Sequence, residues 1–193
     1  NVRLSISTPW LYDQNLFSIS QKIKFQEIKS IKFIWFAKKN LVRHNQKRKF
    51  DSTISHLIDI ISHIISIIMC LLNKNKIDIK NIKYQKLMKL EKATFNIFNT
   101  RVLIENSNNH SLERRDILIS TNSKNLYKIK LNSNFIKFSK NNKLIQKYDE
   151  RKNKINTQHQ KILKKSKLQE KKDFDVFNSI SIITKKILIE INK

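Results

Sequence analysis

Residues 56–72 read HLIDIISHIISIIMCLL and carry the strongest structural signal in the sequence. Ile54, Leu57, Ile58, Ile61, Ile64, Ile65 and Ile68 return every three or four positions, the repeat of a broad apolar helical face. Ser55, Asp59, Ser62 and Ser66 recur at the same steps and make a polar edge. The spacing predicts a buried helix over 52–72, with Asp51 or Ser52 as its N-cap. A span of the bilayer takes about 20 apolar residues, and an ionisable group in mid-span is costly, so Asp59 argues against one.

Upstream, Leu16, Ile19, Ile23, Ile31 and Ile34 lie among lysines and predict an amphipathic helix over 11–37. Residues 38–50, KKNLVRHNQKRKF, contain basic residues and no acid, and read as an exposed connector. Downstream, a basic stretch leads into a second expected helix through Leu87, Leu90, Thr94 and Ile97. The period then changes. RVLIE, DILIST, LYKIKL and FIKFS, all within 101–140, alternate in the manner of strands, the last two forming a hairpin about Asn132-Ser133-Asn134. Asparagine tolerates left-handed backbone and can turn such a hairpin without glycine. Residues 141–172 are polar and basic, and 174–191 regain a helical repeat through Phe177, Ile180, Ile183, Ile187 and Ile191. The expected fold is α+β and predominantly helical, with a small antiparallel sheet and basic extensions. Its three segments are 1–50 (amphipathic helix and connector), 51–140 (helices, then short strands) and 141–193 (basic helical extension).

The composition excludes several chemistries. The 193 residues contain no glycine, so a glycine-rich phosphate loop or a GxSxG nucleophile elbow cannot be built. One cysteine, Cys70, leaves no disulfide framework and no cysteine zinc site. His56, Asp59 and His63 follow at steps of three and four on one helical edge, which suits a metal, but a polar seam is the simpler reading. Glu113, Arg114, Arg115 and Asp116 form a charged cluster that reads as a solvated turn before a strand. No nucleophile–base pattern stands out, and neither catalysis, a cofactor, a metal nor a small-molecule substrate is expected.

Lys and Arg number 40 against 15 Asp and Glu, a formal charge of +25. Abundant Ile, Lys and Asn, with scarce Gly, Ala and Pro, mark an AT-rich genome and inflate the lysine count. The deficit of acids remains, and it points to a polyanionic partner. Candidate RNA-binding residues are Arg3, Lys38, Lys39, Arg43, Lys47, Arg48 and Lys49, beside Trp35, Phe36 and Phe50, whose rings could stack on unpaired bases. Lys161, Lys164, Lys165, Lys171 and Lys172 form a second patch.

The opening stretch VRLSISTPWLYDQNLFSISQKIKFQEIKSI resembles that of the third small-subunit ribosomal protein, the universal KH-type member, in its organellar versions. Arg3 and Leu4 match its start, Trp10 and Tyr12 its aromatic positions, and Phe17 to Ile31 its helix; Ser5 stands where the family has glycine. The resemblance implies a structural constituent of the mitochondrial ribosome, in its small subunit, bound to ribosomal RNA and neighbouring ribosomal proteins in the matrix. The KH loop that grips phosphates needs glycines that this sequence lacks. The alternatives are a subunit of an organellar membrane complex, with 56–72 as a short embedded helix, and a DNA-binding protein.

Overall fold

The computed structural model describes residues 10, 13–23, 28–38, 42–43, 46–47, 55–74, 76–131, 135–149 and 167–191. It is dominated by one sheet rather than by helices. Helix α1 (Gln14–Lys22) precedes strand β1 (Ile28–Lys38). A short ribbon, β2 (Val42–Arg43) and β3 (Gln46–Lys47), leads to α2 (His56–Leu72). Seven strands follow: β4 (Ile79–Leu87), β5 (Leu90–Ile97), β6 (Thr100–His110), β7 (Arg114–Thr121), β8 (Leu126–Leu131), β9 (Phe135–Lys140) and β10 (Lys143–Asp149). Helix α3 (Lys167–Ile191) completes the order.

Eight strands form a single sheet in the order β10-β9-β8-β7-β1-β6-β5-β4. Hairpin neighbours pair antiparallel. The exception is β1, which lies parallel to β6 and antiparallel to β7. The predominantly helical expectation is therefore corrected, and β1 explains much of the error. It is buried on both faces at its centre: Ile31, Phe33 and Trp35 point to the helices, while Ile34, 5% exposed, points the other way. With Ile34 and Phe36 apolar on the second face as well, the strand reads as a nearly continuous apolar run, and its isoleucines then match a helical repeat by accident. Helix α1 is real but short. Asp13 caps it by accepting the N–H groups of Asn15 at 2.9 Å and Leu16 at 3.0 Å, and the chain is already extended at Ile23.

The helix expected through Leu87, Leu90, Thr94 and Ile97 is instead the β4–β5 hairpin. Ala93, Phe95 and Ile97 alternate inward along β5. Both hairpin turns here begin with left-handed residues, Met88 at φ 42° and Phe98 at φ 51°, where glycine is the usual choice. The β9–β10 turn uses Asn141 and Asn142, at φ 48° and 65°. The chain thus makes its reversals without glycine.

The three described helices share one core on a single face of the sheet. Leu57, Ile61, Ile64, Ile65 and Ile68 of α2 pack with Ile31, Phe33, Val102, Ile104 and Ile117. Burying such side chains contributes roughly 1.5–3 kcal/mol each and offsets the ordering of the chain. Helix α2 ends on Asn73 in the left-handed conformation, whose N–H reaches Cys70 O at 3.2 Å. Helix α3 buries the expected Ile180, Ile183 and Ile187, with Ile191 packed beside them, but Val176 takes the buried place expected of Phe177, which is exposed. Lys186 Nζ fastens α3 to Asp78 at 2.7 Å. No described helix is long and apolar enough to cross a membrane.

The sheet's other face carries Lys32, Lys92, Arg101, Lys128 and Lys130. Two of its acids, Glu105 and Asp116, are each held between cations. Glu105 takes Lys32 at 2.8 Å and Lys92 at 3.9 Å; Asp116 takes Arg114 at 2.8 Å and Lys128 at 3.3 Å. The charged cluster at 113–116 is therefore not a solvated turn. Arg114 and Asp116 point to this open face and Arg115 to the helical one, as alternation along β7 requires.

Candidate functional site

Side chains on the helical face line up in rows across the sheet. One row is Phe95, Val102, Ile31 and Ile119; the next is Ala93, Ile104, Phe33 and Ile117. Both are apolar. The third row is Glu91, Asn106, Trp35 and Arg115, and it is polar. It lies late in both β1 and β6, toward the carboxyl ends of the parallel pair, where ligands of parallel sheets usually lie. The first turn of α2 sits over it.

Glu91 is the hub of this row. Its Oε2 accepts the N–H of Leu57 at 2.9 Å and the Asn106 side-chain amide at 3.0 Å, and its Oε1 accepts the Tyr84 hydroxyl at 3.1 Å. Burial pushes the Tyr84 phenol above its ordinary range, and the Glu91 charge beside it adds to that effect. Tyr84 is thus held as a hydrogen-bond donor. Arg115 lies over the Trp35 ring at 5.2 Å and bonds Glu113 through Nη2 at 2.7 Å.

His56 opens α2 at this end and is 8% exposed. Its Nδ1 lies 3.8 Å from Oδ2 of Asp59, one turn along, whose carboxylate is half exposed. The result is an imidazole with a carboxylate on one side and a polar row beneath. Such an imidazole can exchange a proton near neutral pH. Among the described residues no three His, Cys, Asp or Glu side chains come together as a metal-binding group, so the His56, Asp59, His63 spacing does not become one.

The residues proposed from sequence for RNA are not brought together among those described. Lys38 is exposed at the end of β1, Arg43 and Lys47 belong to the small ribbon, and Lys171 and Lys172 lie on α3. Arg3, Lys39, Arg48, Lys49, Lys161, Lys164 and Lys165 lie outside the described residues, as do Phe50 and the N-caps expected at Asp51 or Ser52. Trp35, expected to stack on bases, is 6% exposed and sits in the polar row. Phe36 stacks on His110 with 4.5 Å between centroids. Sequence reasoning missed Glu91, Asn106 and Tyr84, because no local pattern marks three residues joined by strand pairing.

No protein-family profile matches this sequence, and no curated protein is similar to it. Solved structures of like fold do exist. UDP-N-acetylglucosamine 3-dehydrogenase from Acidithiobacillus ferrooxidans superposes with a TM-score of 0.70 at 9% identity, covering 98% of this chain and 61% of that one. A Gfo/Idh/MocA family oxidoreductase from Vibrio cholerae gives 0.56 at 11% identity, covering 98% and 63%. A 3-ketoreductase from Actinomadura kijaniata, in complex with NADP, gives 0.55 at 7% identity, covering 90% and 57%. At these identities the likeness is one of fold, and the chain spans about three-fifths of the length of these proteins.

That likeness corrects the earlier expectations. The stretch compared with a KH-type ribosomal protein forms α1 and the central strand of a sheet shared with dehydrogenases and ketoreductases. A ribosomal role, ribosomal RNA and ribosomal proteins as partners, and the absence of catalysis and of a small-molecule substrate are therefore set aside. The membrane-complex and DNA-binding alternatives go with them. The physical source of the error is the net charge of +25, which was read as specific to nucleic acid although any anionic partner would meet it.

Proposed function

We propose that this chain forms the substrate-side sheet unit of a carbohydrate oxidoreductase, with His56 exchanging the proton of the reacting hydroxyl. The observation that carries the reading is the place of His56: at the first turn of α2, over the carboxyl ends of the parallel pair, in a fold shared with dehydrogenases. A hydroxyl oxidised to a carbonyl must lose its proton to a base, and imidazole does so most often. Asp59 favours the charged imidazole that then forms. Tyr84, kept protonated, serves as a donor and not as that base. The name of one neighbour, UDP-N-acetylglucosamine 3-dehydrogenase, supports a sugar substrate. The net charge of +25 favours an anionic one, such as a nucleotide sugar.

The residues present do not fit the diphosphate of a nicotinamide dinucleotide. No glycine is available for a phosphate-binding turn, and the described sheet has a single parallel pair in place of a doubly wound half. This chain is therefore assigned the proton and the substrate, with no step derived through the nucleotide. The test is NMR of the imidazole resonances during titration with UDP-N-acetylglucosamine. The reading expects His56 to shift saturably while His63 stays in place; a silent His56 at millimolar ligand contradicts it.

A further inference from the structure

We infer that Glu91 is the positioning residue of this site, holding the first turn of α2 and through it the imidazole of His56. The inference rests on the proton-exchange role proposed for His56. Helix α2 begins without a side-chain cap, since Ser55 makes no capping bond. The first N–H groups of a helix have no intrahelical partner and must find one elsewhere. Glu91 meets that need from across the sheet, taking the Leu57 N–H at 2.9 Å.

The anchored atom matters. The Leu57 nitrogen belongs to the same peptide plane as the His56 carbonyl, so fixing it orients the His56 Cα and the departure of its ring. Glu91 is itself fixed from both sides. Asn106 on β6 donates at 3.0 Å and Tyr84 on β4 at 3.1 Å, so the two strands flanking β5 both hold its carboxylate. A carboxylate is acceptor-only, which also settles that Asn106 turns its amide nitrogen toward it. A negative charge at a helix N-terminus is favoured by the macrodipole and holds the arrangement. Charged and titratable groups sharing this turn or row are Asp59 on α2, Tyr84 on β4, Glu91 on β5 and Arg115 on β7. Glu91 is bonded to the backbone of the turn that carries His56.

A residue that only stabilised the fold would leave the imidazole unchanged once the protein was folded. The experiment is therefore an NMR titration of His56 in the wild type and in Glu91→Gln, which keeps the shape and removes the charge. The expected result is a His56 pKa lowered by at least about 0.5 unit, since an opposite charge has been removed. A folded Glu91→Gln protein with an unmoved His56 titration overturns the inference. Asn106→Ala serves where Glu91→Gln does not fold. The Leu57 amide should then exchange with solvent at least about fivefold faster and the His56 resonances should broaden, and unchanged exchange overturns it too. Neither readout requires turnover. A His56 silent to UDP-N-acetylglucosamine would remove the proposed chemistry and leave the answer on Glu91 intact.

Discussion

Leu57, in the first turn of α2, donates its backbone N–H to the carboxylate of Glu91 at 2.9 Å across 34 residues of sequence. This bond ties the most apolar helix to the sheet at the end where the polar row lies. Glu91→Ala strands three donors, the Leu57 N–H, the Asn106 amide and the Tyr84 hydroxyl. Each buried unpaired group costs about 1–3 kcal/mol, partly offset by no longer desolvating a carboxylate. The expected loss is about 3 kcal/mol, read from urea unfolding, with Glu91→Gln losing less.

Met88 is fully exposed and left-handed, so it packs against nothing while its Cβ crowds the following carbonyl. Met88→Gly relieves that strain, and the added freedom of the unfolded chain takes back part of the gain. The protein should become more stable by about 0.5 kcal/mol. A denaturation midpoint that falls on this substitution would show that the turn is not built this way.

The Asp78 carboxyl titrates below its ordinary range, chiefly through its bond from Lys186, whose charge adds to it. A carboxyl with a lowered folded pKa contributes stability above its unfolded value of 3.8 and loses it as pH falls through the folded value. Asp78 is largely exposed, so the effect is small, below about 2 °C in Tm. Thermal melts of Asp78→Asn should run slightly below the wild type at pH 6 and converge with it in strong acid.

Tyr84 behaves in the opposite sense. Its raised pKa means that the fold favours the neutral phenol, so its contribution is present below about pH 10 and lost as pH rises through the folded value. An ultraviolet titration of tyrosinate should show one phenol ionising late and only with loss of structure. Tyr84→Phe should abolish that late step and leave the others.

What could be read from the sequence depended on how local the cause was. Helix α2 was legible because its whole apolar repeat lies within 17 residues. RVLIE, DILIST, LYKIKL and FIKFS fall in β6, β7, β8 and β9, because each alternates along its own length. β1 was misread because its position at the centre of the sheet gives it apolar side chains on both faces, which erases alternation. β5 was misread because Leu87, Leu90, Thr94 and Ile97 mimic a helical stripe, whereas its buried positions are Glu91, Ala93, Phe95 and Ile97. The polar row was invisible for a different reason. Glu91, Asn106, Trp35 and Arg115 come from four strands, and only the register unites them. His56 was noticed for its spacing to Asp59 and His63, yet its significance comes from what lies beneath it. The missing glycines leave no means of building a glycine-rich phosphate turn in this sequence. They did not exclude an oxidoreductase fold, since such a turn is no part of this sheet.

The most direct test of the central claim is calorimetric titration of this chain with UDP-N-acetylglucosamine. The account predicts saturable binding in the wild type, weakened at least about tenfold in His56→Asn, the scale of one lost hydrogen bond. Binding that survives His56→Asn undiminished, or no binding by the wild type, would contradict it.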